Sequence, residues 1–562
     1  MSDKVVVIGL DGGSFRTLDP WMREGRLPHL ETLIREGVRG PLASVVPPET
    51  ATAWSSFLTG KNPGKHGVFG FTARDRLTGR IVPVSALART GKAFWDLLSE
   101  SGKRVLVLNV PTTYPPHPVN GVLISDFLTP RGKRDFVYPP ALLEELEKRF
   151  GPYPLYMRTY FSGNLSEAHA EWFLEELHEE LRSKFDILEY LMDRFPWDLV
   201  VFHLWGTDRV QHDLWNLIDE HHPAYDASLA RKCRQRIVEY FEAVDARVGR
   251  LRQRLGEDPT LLVISDHGFG PIHKTIDLNV WLLEQGFIRI KKSPVSRLRY
   301  WAWKMGLTYE TLVRFLLKLM RFGLRLPDLS PAETVNLVRD NRFNPLLSLK
   351  DIDWSRTQAY SQMGMGQIVI NVEGRTAKGA VEPGQAYKRV REEIVRRLKD
   401  MRDPATGRPV GGQVYTKEEI YHGPHLDEAP DITFLPLESN VMASALMGFT
   451  TRRWIIDNPF LFGNHRMDGI LIAHGRDIRK GHVFNQARLI DVAPTVLHLL
   501  GEAVPNDMDG RVLTELFTDS FAGTRKIEWR DASETPTDEP LTGMTPQEEA
   551  TILENLKGLG YI

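Results

Sequence analysis

Four short runs along the chain are apolar at nearly every position: Val5–Leu10 (VVVIGL), Arg104–Asn109 (RVLVLN), Leu199–His203 (LVVFH) and Leu261–Ser265 (LLVIS). A strand with one face in water alternates apolar and polar residues. Runs that are apolar on both faces instead suit a sheet covered on both sides. Between these runs, Ser166–Phe195 and Leu229–Leu255 carry apolar residues at helical spacing. Strands alternating with helices predict an α/β fold, with a mostly parallel central sheet and helices on both faces. In such sheets ligands gather at the carboxyl ends of the strands, so chemistry is expected just after each apolar run. Further strands are expected at Arg356–Val372 and Asp431–Leu435, with a helix at Ala386–Met401 between them.

Two stretches break this pattern. Arg289–Pro327 holds ten Lys or Arg against one acidic residue, Glu310, a local charge of +9, with Tyr300, Trp301, Trp303, Phe315 and Phe322 interleaved. It reads as two short helices split near Gly306, forming a cap whose aromatics pack on the body and whose basic residues are solvated. A second reading makes residues 289–327 a weak contact surface for anionic lipid headgroups or another polyanion. Asp519–Thr542 is polar and reads as a linker. After it, Thr545-Pro546-Gln547-Glu548 is a capping box with proline at the first helical position, opening a helix with Ile552, Leu553 and Leu556 on one side. The expected organisation is a core in two parts, residues 1–288 and 346–518, a helical cap inserted at 289–345, and a linker with a docking helix at 519–562.

The chain has 562 residues, 71 Lys+Arg against 73 Asp+Glu, a formal charge of −2, 42% apolar and 10% aromatic residues. That balance excludes a disordered chain and one polybasic throughout, and no binding to duplex nucleic acid is expected. Cys233 is the only cysteine, which excludes intrachain disulfides and cysteine-rich zinc sites. The opening residues lack a signal-peptide core, and no run approaches the ~18–20 apolar residues that span a bilayer, so a cytoplasmic protein is expected. Oligomeric state is not legible.

The candidate chemistry lies at the strand ends. Asp11 follows the first strand in GLDGG, where it is either a turn residue or a ligand. Asp266 and His267 lie in VISDHGFG; neighbours on a strand point to opposite faces, so they converge only if the strand has ended. A carboxylate and an imidazole are typical ligands for zinc or a similar ion. Asp208 and His212, in GTDRVQHD, share one face if a helix begins there. His465, in GNHRMDGILIAHG, competes with His474, while His203 reads as a core residue. Thr50, in PPETATAWSSFLTG, stands where a loop enters a helix, a natural seat for phosphate. Its hydroxyl needs a base or metal to attack, and Thr52, Ser55, Ser56 and Thr59 are rivals. Together this inventory suits two adjacent divalent ions with a hydroxyl nucleophile.

These motifs, running from Val5 to about Gly510, resemble the alkaline phosphatase superfamily, specifically its type I phosphodiesterase/nucleotide pyrophosphatase branch. In that branch a threonine opens a segment ending in TG and followed by His-Gly; here Thr59-Gly60 and His66-Gly67 point to Thr50. Asp208 and His212 match its D-x-x-x-H motif, Asp266, His267 and Gly268 its Asp-His-Gly motif, and His465 its late histidine. IDVAPTVLHLLG from Ile490, Asp509-Gly510 and the terminal LKGLGYI also resemble the superfamily. The resemblance implies an alkaline phosphatase-like fold and two metal ions, usually zinc. One site would be Asp11, Asp266 and His267 with Thr50, and the other Asp208, His212 and His465. It implies a metal-dependent phosphohydrolase that cleaves a phosphodiester or nucleotide-type pyrophosphate in small phosphorylated substrates through a phospho-threonine intermediate. A phosphomutase with the same residues, or a metal-containing adaptor without catalysis, are the alternatives. The sequence departs from the branch at Ala53, where an asparagine often helps to bind a phosphoryl oxygen; Lys61 or Asn109 are candidates to replace it. Cys233 is followed by Arg234-Gln235-Arg236, which lacks the sulfatase context.

Overall fold

In a computed structural model that describes residues 4–75, 80–157, 167–308, 311, 346–362, 364–376, 378–445, 449–457, 462–532 and 543–559, the chain divides into two compact units. The first comprises Met1–Pro271, Ile420–Ala429 and Leu461–Tyr561; the second comprises Ile272–Glu419 and Pro430–Phe460. No helix among the described residues is long and apolar enough to cross a membrane.

The first unit is built on a large mixed sheet. Its centre runs Thr260–Ile264, Val5–Leu10, Leu199–Leu204, Val105–Leu108, Gly121–Ile124, all parallel. Asp468–His474 extends one side antiparallel, Val38–Ala43 pairs antiparallel with it in turn, and Val137–Tyr138 closes the other side antiparallel. The four apolar runs are therefore the strands expected, each within a residue or so at its ends. They are apolar throughout because both faces are covered. Val5, Val7, Val105, Val107, Leu199 and Val201 share one buried cluster with Trp54, Phe57, Trp95 and Val496. On the opposite face Phe202 meets Phe185 of the Glu167–Arg194 helix, ring centroids 4.9 Å apart. Ala227–Leu255 forms the second long helix.

The second unit holds a three-stranded sheet around Lys274–Asp277 and a four-stranded one that includes Ile432–Leu435, with its own apolar core. Arg356–Val372, expected as one strand, is a hairpin of Ala359–Tyr360 and Gln367–Ile370, because Met365 and Gly366 adopt positive φ and turn the chain. Gln385–Lys399 is the expected helix. Of the basic segment, Pro294–Lys304 is helical and Gly306 ends it with φ 93°. The second helix, expected between Gly306 and Pro327, lies almost wholly outside the described residues.

Asp519–Thr524, read as linker, is a short helix, and Trp529–Arg530 pairs with Val504–Pro505. The capping box is formed: Glu548 Oε2 accepts from Thr545 N–H, Thr545 Oγ1 accepts from Glu548 N–H, and Ile552 and Leu556 of Pro546–Leu559 are buried.

Candidate active site

All seven residues singled out in the sequence meet in the first unit, at the carboxyl ends of its parallel strands. The Val5–Leu10 strand delivers Asp11. Gly12 then turns at φ 64°, where a Cβ would lie 2.8 Å from the Phe269 ring. The Gly12 N–H donates to Asp266 Oδ1 at 3.2 Å. The Thr260–Ile264 strand has ended before Asp266 and His267, as their convergence requires. A helix does begin at Gly206, so Asp208 and His212 lie one turn apart on one face. Gly463–Arg466 pairs antiparallel with Gly268–Pro271, opposing His465 to Phe269. His474 instead lies against Arg252, 3.3 Å away, which decides between the two histidines.

Three imidazoles face one pocket in a fixed sense. His212 Nδ1 donates to the Gly463 carbonyl at 2.8 Å, His465 Nδ1 to the Pro48 carbonyl at 2.8 Å and His267 Nδ1 to the Gly268 carbonyl at 3.1 Å. A carbonyl only accepts, so each Nδ1 carries the proton and each Nε2 is turned toward the carboxylates. His212 Nε2 and His465 Nε2 each lie 3.3 Å from Asp208 Oδ1. His267 Nε2 lies 3.2 Å from Asp266 Oδ2 and 3.5 Å from Asp11 Oδ1. Two sets of ligand atoms are each close enough to hold one ion: Asp208 with His212 and His465, and Asp11 with Asp208 and His267. Asp208 is common to both, and Asp266 borders the second.

Thr50 is the first residue of the wholly buried helix Thr50–Thr59, and its Oγ1 lies 3.3 Å from His267 Nε2. Three of its rivals have other partners: Ser56 Oγ is 2.8 Å from His66 Nε2, Ser55 Oγ is 3.2 Å from Thr112 Oγ1, and Thr59 Oγ1 donates to the Ser55 carbonyl. The fourth, Thr52 Oγ1, is buried with no hydrogen-bond partner among the described residues.

Burial dominates the electrostatics. It pushes the Asp11 carboxyl well above the usual range, and the neighbouring Asp266 and Asp208 push the same way. Asp266 is raised by burial and by Asp208, against the Gly12 N–H. Burial would raise Asp208 too, but His212 and His465 outweigh it and hold it well below the usual value. Burial and the neighbouring His465 keep His267 neutral. Asp11 Oδ1 and Asp266 Oδ2 are buried without a hydrogen-bond partner among the described residues. Three carboxyl groups and three imidazoles buried together are a donor set that fits divalent cations.

His203, read from the sequence as core, is 1% exposed, yet its Nε2 lies 2.8 Å from Asp11 Oδ2. The signal was an imidazole in an apolar strand; that it sits opposite Gly9 of the neighbouring strand appears only in the register. Gln211 Nε2 similarly donates to the Gly12 carbonyl and Thr207 Oγ1 to the Asp11 carbonyl. The side chains of Lys61 and Asn109 are engaged with other partners. Lys61 Nζ pairs with Asp507 at 2.6 Å, while Asn109 accepts from Tyr153 OH and donates to the Ser125 carbonyl.

The sequence model of type I phosphodiesterase/nucleotide pyrophosphatase matches residues 5–448. The chain belongs to that family. As a type I phosphodiesterase/nucleotide pyrophosphatase, of the alkaline phosphatase superfamily, it is a hydrolase of phosphoric ester bonds. Among solved structures, phosphonoacetate hydrolase from Sinorhizobium meliloti 1021, in complex with phosphonoformate, shares the fold. Its TM-score is 0.50 at 16% identity, over 89% of this chain and 95% of that one. Murine ectonucleotide pyrophosphatase/phosphodiesterase 5 aligns with TM-score 0.47 at 14% identity, over 92% of this chain and 100% of that one. Among curated protein sequences none matches this chain at a significant level.

Proposed function

We propose that this family member is a metal-dependent phosphodiesterase or nucleotide-type pyrophosphatase that works through a phosphorylated Thr50. Asp11, Asp208, Asp266, His212, His267 and His465 would hold two divalent ions, zinc by the chemistry of the donors. One observation carries the reading: the Thr50 hydroxyl and six buried ligand-type side chains from distant parts of the sequence share a single dry pocket. When bound, such ions supply Lewis-acid polarisation of a phosphoryl oxygen and of the attacking hydroxyl.

The chain's own residues do the rest. Thr50 attacks phosphorus as the ester bond to the leaving oxygen breaks, and the threonine proton departs with the released alcohol. Water then cleaves the Thr50–phosphorus bond, returning the hydroxyl and releasing a phosphate monoester. The first turn of the Thr50 helix presents its amide groups where phosphoryl charge develops. His203 holds Asp11, and the carbonyls of Gly463, Pro48 and Gly268 hold the imidazoles, so the ligand shell is preformed.

The test is a pair of chromogenic substrates, a bis-aryl diester and an aryl monoester, each assayed with and without chelator. Diester hydrolysis that is lost with chelator, restored by zinc and absent in Thr50→Ala supports the reading. A Thr50→Ala enzyme with most of its activity removes Thr50 from its role. Phosphoryl return to a phosphorylated sugar, without free phosphate, would make the protein a mutase.

A further inference from the structure

The helix Pro294–Lys304 of the second unit buries only Ser296 and Trp303 of its 11 residues. Trp303 is its anchor: Nε1 donates to the Thr451 carbonyl at 2.9 Å, and the ring stacks on Tyr300 and meets Phe449 edge-on. Ser296 Oγ and Arg299 Nη1 bond Asp351 at 2.8 and 3.3 Å. These contacts fix which side of the helix looks out. That side carries Val295, Leu298 and Trp301, and the turn beyond it Met305 and Leu307, all between 53% and 69% exposed. Ten large apolar side chains are this exposed or nearly so among the described residues, and five of them fall within these thirteen positions. Leu349 joins them, because the Leu349–Asp351 turn is tied to Lys291 and to the helix through Asp351. Scattered exposed leucines need no explanation, but an apolar stripe concentrated on one helix does.

The margins of the stripe are basic. Lys291, Lys292, Arg297 and Lys304 are exposed, and no acidic residue occurs from Arg289 to Thr308. We propose that this face docks on an anionic phospholipid bilayer, with Val295, Leu298, Trp301, Met305 and Leu307 entering the headgroup boundary and the lysines and arginines meeting lipid phosphates. Trp at an interface and long basic side chains that keep their charge outside while their stems lie on apolar surface are what such binding needs. A second copy of the chain fits less well: a two-fold interface would set Arg297 and Lys304 against their own counterparts across an apolar seam. A nucleic acid would satisfy the charges but offers little to the exposed aliphatic groups. The inference is independent of the reading of the catalytic pocket.

Flotation of the full chain with phosphatidylcholine vesicles, with and without phosphatidylglycerol, tests it. Binding is expected only to the anionic vesicles and should fall with salt. Leu298→Glu with Trp301→Glu should abolish it. Arg297→Gln and Lys304→Gln should each weaken it about fivefold at low salt, the worth of one basic residue at such a surface. These side chains point away from the core, so melting temperature and diester hydrolysis should stay at wild-type values; the two Gln variants serve if the Glu variant does not fold. No binding, equal binding to neutral vesicles, or wild-type binding by the Gln and Glu variants overturns the proposal. So does a dimer in sedimentation velocity that dissociates in Leu298→Glu while vesicle binding is unchanged, which would make the stripe a self-interface.

Discussion

In the second unit Asp431 is fully buried, and its carboxylate is surrounded by donors. Arg375 Nη1 reaches its two oxygens at 2.9 and 2.7 Å, Tyr387 OH donates at 2.9 Å and the Ile370 N–H at 2.7 Å, with Lys417 Nζ 3.8 Å away. In the first unit Asp11 is as deeply buried, but its neighbours are Asp208 and Asp266, and one of its oxygens has no hydrogen-bond partner among the described residues. The polypeptide neutralises Asp431 by itself. In the first unit it gathers Asp11, Asp208 and Asp266 and turns three imidazole nitrogens toward that cluster, an arrangement that cations complete. Buried carboxylates thus serve opposite ends: one ties strands to a helix, the other is kept at the cost of repulsion because something else is to bind there.

The largest expected effect falls on the pocket alone. Thr50→Ala should cut diester turnover by about 10⁵-fold, about 7 kcal/mol of transition-state stabilisation, while leaving the melting temperature and bound metal near wild type. Asp431→Ala should do the reverse. It removes the buried carboxylate that Arg375, Tyr387 and the Ile370 N–H share and should cost about 3–5 kcal/mol in urea unfolding. Pocket chemistry in any molecules still folded should be unchanged. If Asp431→Ala lost metal or turnover without loss of stability, the division of labour between the two clusters would be wrong.

How far the sequence reaches follows from the same contrast. The runs at Val5–Leu10 and Leu199–Leu204 are legible because burial on both faces leaves no polar position. Asp11, Asp208 and Asp266 are legible because each follows shortly after such a run. What pattern does not carry is pairing across the chain. Nothing local tells that His203 is set against Asp11, since that depends on which strands become neighbours and in what register. Nor does pattern give the sharing of Asp208 between two sets of ligand atoms, which is decided by where individual oxygens fall. The hairpin within Arg356–Val372 is hidden for a different reason. Its turn needs positive φ at Met365 as well as Gly366, and methionine gives no sign of one. The exposed helix Pro294–Lys304 is legible in composition, but only the anchored Trp303 tells which side faces out.

A third effect lies between the extremes. His203→Ala removes the group at 2.8 Å from Asp11 without touching any of the ligand-type atoms turned toward the pocket. Zinc affinity, measured by competition with a chromogenic chelator, should fall about 10–100-fold, and His203→Gln should recover part of it. A merely structural role would lower the melting temperature of the metal-free protein and leave affinity alone, so the two measurements separate positioning from packing.

The smallest effect is the sharpest test of the contrast. Asp11→Asn keeps the shape of the side chain, its approach to His203 and its place at the strand end, and removes one of three negative groups from a dry pocket. Because burial and the neighbouring carboxylates already act against the charged form of Asp11, the amide loses little. The metal-free variant should unfold within about 1 kcal/mol of wild type, on the stable side if on either. Zinc should separate the two proteins. Wild type at about 100 times its dissociation constant gains about 2.7 kcal/mol, and the variant at the same zinc concentration gains much less. A metal-free Asp11→Asn protein as damaged as Asp431→Ala would mean that Asp11 is matched within the polypeptide after all, and that its cluster is a structural network like the one around Asp431.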